Sequence, residues 1–234
     1  MRAYEQIQDT RPILEARSLG FAYAGGQPLF SKLDLRLNRG ETVLLTGPSG
    51  CGKSTLCQIL AQVIPRNITG ELQGSIYLEG QELSSLSLAR LAQTLGMVRQ
   101  EPESQLFAPT VEDELAFGPE NLRLPPEIIR VRVDEALALT GMETYRLAAP
   151  HLLSGGHKQL IALAAVLALK PRIVILDEVF CHLDEEASLR IEMLIRRLNE
   201  QEVTVLLTEH DERRMKLADR VLRLEAGLLQ EASS

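Results

Sequence analysis

The chain has 234 residues, enough for one large domain with a buried core. Its 25 basic and 32 acidic residues give a net charge of −7, which argues against nucleic acid or an anionic membrane surface as the main partner. A hydrophobic content of 45% excludes a disordered chain, and three cysteines (Cys51, Cys57, Cys181) are too few for a disulfide framework.

Residues 1–11 are polar and lack the apolar segment of a secretory signal. Up to about residue 85 the pattern is one of strands. Residues 30–37 alternate, with Leu33, Leu35 and Leu37 on one face, 42–46 form a short apolar run ending at Gly47, and 75–79 lie between two glycines. From 100 to 157 prolines punctuate helices. Thr110 with Asp113 opens a helix reaching Ala116, and a second helix covers 127–139 and stops near Gly141. The remainder alternates helix and strand: helix 157–169, strand 173–176, helix 185–199, strand 203–207, a short helix from Asp211, and strand 221–224. That order predicts right-handed crossovers and a parallel sheet, with ligands at the carboxyl ends of its strands. The longest apolar run, 160–169, has half the roughly 20 residues that a membrane-crossing helix needs.

The densest signal is Gly47-Pro48-Ser49-Gly50-Cys51-Gly52-Lys53-Ser54-Thr55, a full match to G-x-x-x-x-G-K-[ST] between an apolar strand and a helical pattern. Its glycines let backbone N–H groups turn inward, and the following helix N-terminus adds positive potential, so the segment is suited to phosphate. Lys53 then reaches the β- and γ-phosphates and the Ser54 hydroxyl ligates Mg²⁺, while Cys51 serves through its backbone. A second signal is Ile173-Val174-Ile175-Leu176-Asp177-Glu178, a buried strand ending in two carboxylates. Asp177 is suited to hold Mg²⁺ and Glu178 to polarise an attacking water. A third is Leu153-Ser154-Gly155-Gly156-His157, where a good N-cap and two glycines open a helix and form a separate anion site.

Taken in this order and spacing, the three motifs resemble the ATP-binding subunits of ABC transporters, over residues 13–230. The resemblance implies an α/β fold: a P-loop NTPase (ABC ATPase) core with a mostly parallel sheet, an N-terminal antiparallel β-subdomain and an inserted α-helical subdomain. One domain is expected over 1–234, with 1–99 and 158–234 forming the ATP-binding part and 100–157 the helical part. It further implies MgATP hydrolysis between two such subunits paired head to tail, as homo- or heterodimer. Tyr23 resembles the aromatic that stacks on adenine, Gln100 the glutamine that touches Mg²⁺, Asp184 the aspartate at the dimer seam, and His210 the histidine that contacts the γ-phosphate.

Residues 99–107 and 110–121 are similar to those of energy-coupling factor (ECF) ATPases, which import vitamins or metals such as cobalt and nickel. Implied partners are a transmembrane coupling protein and a substrate-binding membrane protein, with the chain peripheral on the cytoplasmic face of the cell membrane. The ATPase of another ABC importer (metal, peptide or amino acid) is the alternative. A soluble ABC-type ATPase acting on DNA or ribosomes and a small-molecule kinase fit less well, since no basic face or long heptad run is present and a kinase leaves the Leu-Ser-Gly-Gly segment unexplained. The chain departs from the family pattern at His157, Leu160, Val179 and Cys181-His182, which bears on the efficiency of the second anion site and of the loop leading to Asp184. Residues 99–121 carry six acids and one base, and are expected to receive arginines of the coupling protein.

Overall fold

The computed structural model describes residues 11–66, 68–181 and 183–232. Residues 1–10 of the polar N-terminal stretch, and His182, lie outside the described residues. The chain runs through β1 (Leu14–Tyr23), β2 (Pro28–Leu37), β3 (Thr42–Thr46), α1 (Lys53–Leu60), β4 (Gly70–Leu78), β5 (Gln81–Glu82), α2 (Leu88–Ala92) and β6 (Leu95–Val98). It continues through α3 (Val111–Asn121), α4 (Pro126–Thr140), α5 (Gly155–Leu167), β7 (Ile173–Asp177), α6 (Glu185–Glu200), β8 (Thr204–Thr208), β9 (Arg220–Glu225) and β10 (Leu228–Glu231).

Two sheets form. One is antiparallel, in the order β2-β1-β4-β5; the other has the order β10-β9-β3-β8-β7-β6 and is parallel except for β10. In that sheet β9 and β10 at one edge carry exposed charges, whereas its central strands β3, β8 and β7 are buried on both faces, which is why they read as nearly unbroken apolar runs. Side-chain alternation divides them between two cores. Val43, Leu45, Ile173, Ile175 and Leu206 pack with α1 and the antiparallel sheet, whereas Leu44, Val174, Leu176, Val205 and Leu207 pack with α3 to α6. Ligand-bearing loops therefore emerge at the carboxyl ends of β3, β7 and β8, between the two cores.

Several expected elements have different bounds. β1 breaks its own alternation through a register shift between Arg17 and Gly20, with Ser18 at φ 49°, so its period of two is interrupted. β4 begins five residues before the expected strand. β6, only four residues long, is buried beside β7, and Gly96 leaves room for Val166. α3 continues past Ala116 to Asn121 with Pro119 inside it. α5 starts at Gly155 and runs across 157–158, so the helical and α/β parts share it. The expected helix from Asp211 is a 3₁₀ segment, Glu212–Leu217. Among the described residues no helix is long and apolar enough to cross a membrane.

Candidate nucleotide site

The turn from β3 to α1 is built around glycine. Gly47 has φ 148°, and a Cβ there would meet Leu224 O at 2.1 Å. Gly50 (φ 76°) and Gly52 (φ 105°) also occupy the positive-φ region, and Gly52 is the N-cap of α1. Lys53, 4% exposed, folds back over this turn and donates from Nζ to Gly47 O (3.0 Å) and Pro48 O (3.2 Å). Two of its three protons are thereby placed, and the third is free to meet an anion in the turn. Tyr23 crosses from β1, its hydroxyl 2.9 Å from Thr55 Oγ1 and its ring edge-on to Phe21. A cleft of ≈ 320 Å³ opens here, bordered by Tyr23, Ser49, Gly50, Lys53, Ser54, Thr55, Gln100 and Glu178.

The carboxylates arrive from the parallel strands. Asp177 ends β7 opposite Thr208 at the end of β8. Its Oδ1 accepts from Ser54 Oγ (3.0 Å) and Thr208 Oγ1 (2.8 Å). Burial pushes the Asp177 carboxyl up, joined by the Glu178 charge and opposed by both hydroxyls and Lys53. Glu178 is a non-glycine residue at φ 49°, held there by its N–H donating to Thr208 Oγ1 (2.9 Å). Its Oε1 lies 2.8 Å from His210 Nε2. Nε2 has one hydrogen-bonding position and Glu178 takes it, so Lys53 Nζ, 3.4 Å away, keeps its third proton. Glu209, between Thr208 and His210, is 8% exposed, and burial raises its pKa against the pull of the N–H groups it accepts.

Ser54 and Asp177 supply a hydroxyl and a carboxylate oxygen side by side at the mouth of the phosphate turn. That donor set fits Mg²⁺, which takes one or two protein oxygens and completes its shell with phosphate and water. Gln100 borders the same cleft, where its Nε2 contacts Cys181 Sγ at 3.8 Å.

Ser154, Gly155, Gly156 and Asp184 are not in this cleft. Ser154 caps α5, accepting the His157 N–H at 3.3 Å, and Asp184 caps α6, accepting the Ala187 N–H at 2.8 Å. Ser154, Gly156 and Asp184 border a separate hollow of ≈ 140 Å³ together with His157 and Arg190. His157 packs against the Tyr145 ring, centroids 4.5 Å apart and the planes tilted by 42°. The departures at Leu160 and Val179 are each 1% exposed in the second core, and Leu160 also borders the Ser154 hollow.

Thr208 and Glu209 lie at the site and were missed by the motif reading: Thr208 links the Asp177 carboxylate to the Glu178 backbone, a contact set by the β7–β8 register, and Glu209 accepts the N–H groups of Phe180 and His210. The acidic excess in 99–121 is mostly committed within the chain. Glu103 pairs with Lys158, Glu112 with Arg146, Asp113 accepts from Thr110, and buried Glu114 takes the N–H groups of Phe107 and Ala108. Beside exposed Glu101, Glu103, Asp113 and Glu120, the segment also exposes an apolar pair, Phe107 (65%) set edge-on against Phe117 (47%).

A family profile described as "ABC transporter" matches residues 30–181. A putative ABC transporter ATP-binding protein of Methanosarcina acetivorans is 41% identical over 94% of this chain and 35% of its own length. The energy-coupling factor transporter ATP-binding protein EcfA of Methanothermobacter thermautotrophicus is 38% identical over 93% of this chain and 69% of its own. The chain thus spans little more than a third of the length of the first curated relatives it matches. Among solved structures, cbiO1 from Clostridium perfringens, part of the ABC transporter complex cbiONQ, superposes with a TM-score of 0.82 at 29% identity, covering 94% of this chain and 87% of that one. A dimeric ATP-binding cassette bound to ADP and Pi in a post-hydrolysis state has the same fold (TM-score 0.81, 24% identity, 94% and 98% covered). This chain belongs to the ABC transporter family.

Proposed function

We propose that the chain is the ATP-hydrolysing motor of an ECF-type importer, driving uptake of a vitamin or transition-metal ion. The observation that carries the motor reading is the convergence of Lys53, Ser54, Asp177, Glu178 and His210 on one cleft, with the Ser154 hollow lying apart from it. The import reading is supported by the EcfA relatives, which this chain covers over about two thirds of their length.

In this reading residues 47–55 hold the phosphates through backbone N–H groups, Lys53 donates its free proton to them, and Tyr23 offers its ring face to the base. Ser54 and Asp177, with Gln100, hold Mg²⁺, which when bound neutralises charge on the phosphate oxygens. Glu178 orients the attacking water and accepts hydrogen-bonding from it. His210 holds the Glu178 carboxylate in place until nucleotide enters, and would then turn its Nε2 to the γ-phosphate. Ser154, Gly155 and Gly156 present a helix N-terminus to the nucleotide held by a second ATPase subunit, whose seam Asp184 borders. The helical part, 100–157, bears the partner-facing surface. Its aromatic pair Phe107–Phe117 suits an apolar helix of a transmembrane coupling protein, next to a substrate-binding membrane protein. The chain would then sit on the cytoplasmic face of the membrane.

The test is Glu178→Gln. Hydrolysis should fall by about 10²–10³-fold, the scale of losing one group aimed at the transition state. ATP affinity should persist, and ATP should convert the protein to a dimer in size-exclusion chromatography. Undiminished turnover overturns the reading of Glu178.

A further inference from the structure

Glu209 and Arg214 are largely buried charged side chains to which the mechanism above gives no role. Both belong to the segment after β8 that carries His210. Glu209 Oε1 accepts the Phe180 N–H (3.4 Å) and Oε2 accepts the His210 N–H (3.3 Å). The Glu209 N–H in turn donates to Leu45 O at the end of β3 (3.3 Å). Phe180 lies two residues past Glu178 and four before Asp184, and it is held a second time. The Arg214 guanidinium sits over its ring, 4.1 Å from the centroid, and is anchored from behind by an ion pair with Glu192 of α6.

Each of these hydrogen bonds is longer than the usual 2.7–3.2 Å, so none alone would fix the loop. Together with the ring contact they grip one residue from two sides, in a place where Phe180 is 8% and the Arg214 side chain 15% exposed. His210 cannot shift relative to Glu178 without disturbing Phe180 and the turn that leads to Asp184.

We propose that Glu209 and Arg214 are positioning residues that, by gripping Phe180, make the His210 segment and the 178–184 loop move as one body. The geometry of the Glu178–His210 pair and the place of Asp184 are then set together, so that contact at the γ-phosphate is felt at the seam. This rests on the reading of Glu178 and His210 as the reacting pair.

The experiment combines steady-state hydrolysis, ATP binding and amide hydrogen exchange on the purified protein with Glu209→Ala, Glu209→Gln, Arg214→Lys and the Glu209→Ala/Arg214→Lys double variant. For Glu209→Ala, kcat should fall about tenfold to hundredfold, the scale of a small misplacement of reacting groups, with ATP affinity and KM held within about twofold. Exchange at the Phe180 amide should rise roughly tenfold while that at Leu176 within β7 stays as it was. Glu209→Gln, which keeps one carbonyl acceptor at the same reach, should restore part of kcat. Arg214→Lys keeps a charge for Glu192 but loses the planar face over the ring, and in the double variant the losses should combine to less than their product, because both act through Phe180. An unchanged kcat and unchanged Phe180 exchange in Glu209→Ala overturn the proposal. So do fully multiplicative losses, or a joint fall of kcat and ATP affinity with exchange raised throughout the sheet. Glu178→Gln run alongside separates the two readings. If it hydrolyses ATP normally, the reacting-pair reading fails while exchange still judges the grip; if it is inactive and Glu209→Ala is not, only the grip fails.

Discussion

The two anion-suited clefts of this domain are built in opposite ways. In the P-loop cleft every charged group is tied to another: Lys53 to two carbonyls, Asp177 to two hydroxyls, Glu178 to His210 and through its backbone to Thr208. The groups come from the ends of three adjacent parallel strands, so their spacing is set by the 4.7–4.9 Å strand repeat, roughly the scale of a phosphate group. The Ser154 hollow rests on the N-termini of two helices: Ser154 and Asp184 are occupied in capping them, and Arg190 is paired with Glu186. It is less than half the volume of the other. A preorganised cleft binds by itself, whereas a small one built on helix caps contributes only when another surface carries the ligand to it. The first should therefore govern affinity and the second only turnover.

Lys53→Ala tests this division most severely. It removes a buried charge-assisted donor, so ATP affinity of the isolated domain should fall about tenfold to hundredfold, read by equilibrium nucleotide binding. Affinity that survives the substitution breaks the comparison at its stronger end. Gly47→Ala comes next and acts on the scaffold. A Cβ 2.1 Å from Leu224 O, at φ 148°, combines strain with overpacking for a cost of about 3 kcal/mol, a fall in Tm of roughly 6–12 °C. Gly50→Ala is the control, since a Cβ there meets nothing within 4 Å. It should cost only the positive-φ penalty of about 1 kcal/mol. Equal losses in thermal melts would mean that crowding at Leu224 does not shape the turn.

Ser154→Ala addresses the other cleft. The lost cap costs about 1 kcal/mol of stability. Hydrolysis should fall about tenfold, since one hydrogen bond to a charged group is worth about 1.5 kcal/mol. ATP affinity of the isolated domain should not move. Should affinity fall in step with hydrolysis, the two clefts are not separate in function.

The motifs of both clefts were legible because each is built from a local stretch of chain. A glycine turn before a helix, an apolar strand ending in carboxylates and a serine before two glycines are readable as spacing alone. Thr208 and Glu209 were not, because Thr208 depends on β7 and β8 lying side by side with Asp177 opposite it, and Glu209 accepts the N–H of Phe180, distant in sequence. β1 was obscured by its bulge, and β6 by being four residues with a glycine inside. The negative charge of residues 99–121 was visible, but its internal partners Lys158 and Arg146 lie 34 to 55 residues away in sequence. Net charge over a segment says little about surface potential until such long-range pairs are counted.

His157 is where the second cleft departs most visibly from the family pattern, and His157→Gln should have the smallest effect. What the side chain contributes is its packing against the Tyr145 ring, worth about 1 kcal/mol, or a fall in Tm of roughly 2–4 °C. What the cleft needs from this position is the backbone N–H that Ser154 accepts, and glutamine supplies it equally. Turnover should accordingly change by less than about threefold, under 0.7 kcal/mol on the transition-state scale. A larger change, with Tm shifted only as expected, would mean that the imidazole itself meets the nucleotide. The second cleft would then owe its effect to a side chain and not to its helix N-terminus alone.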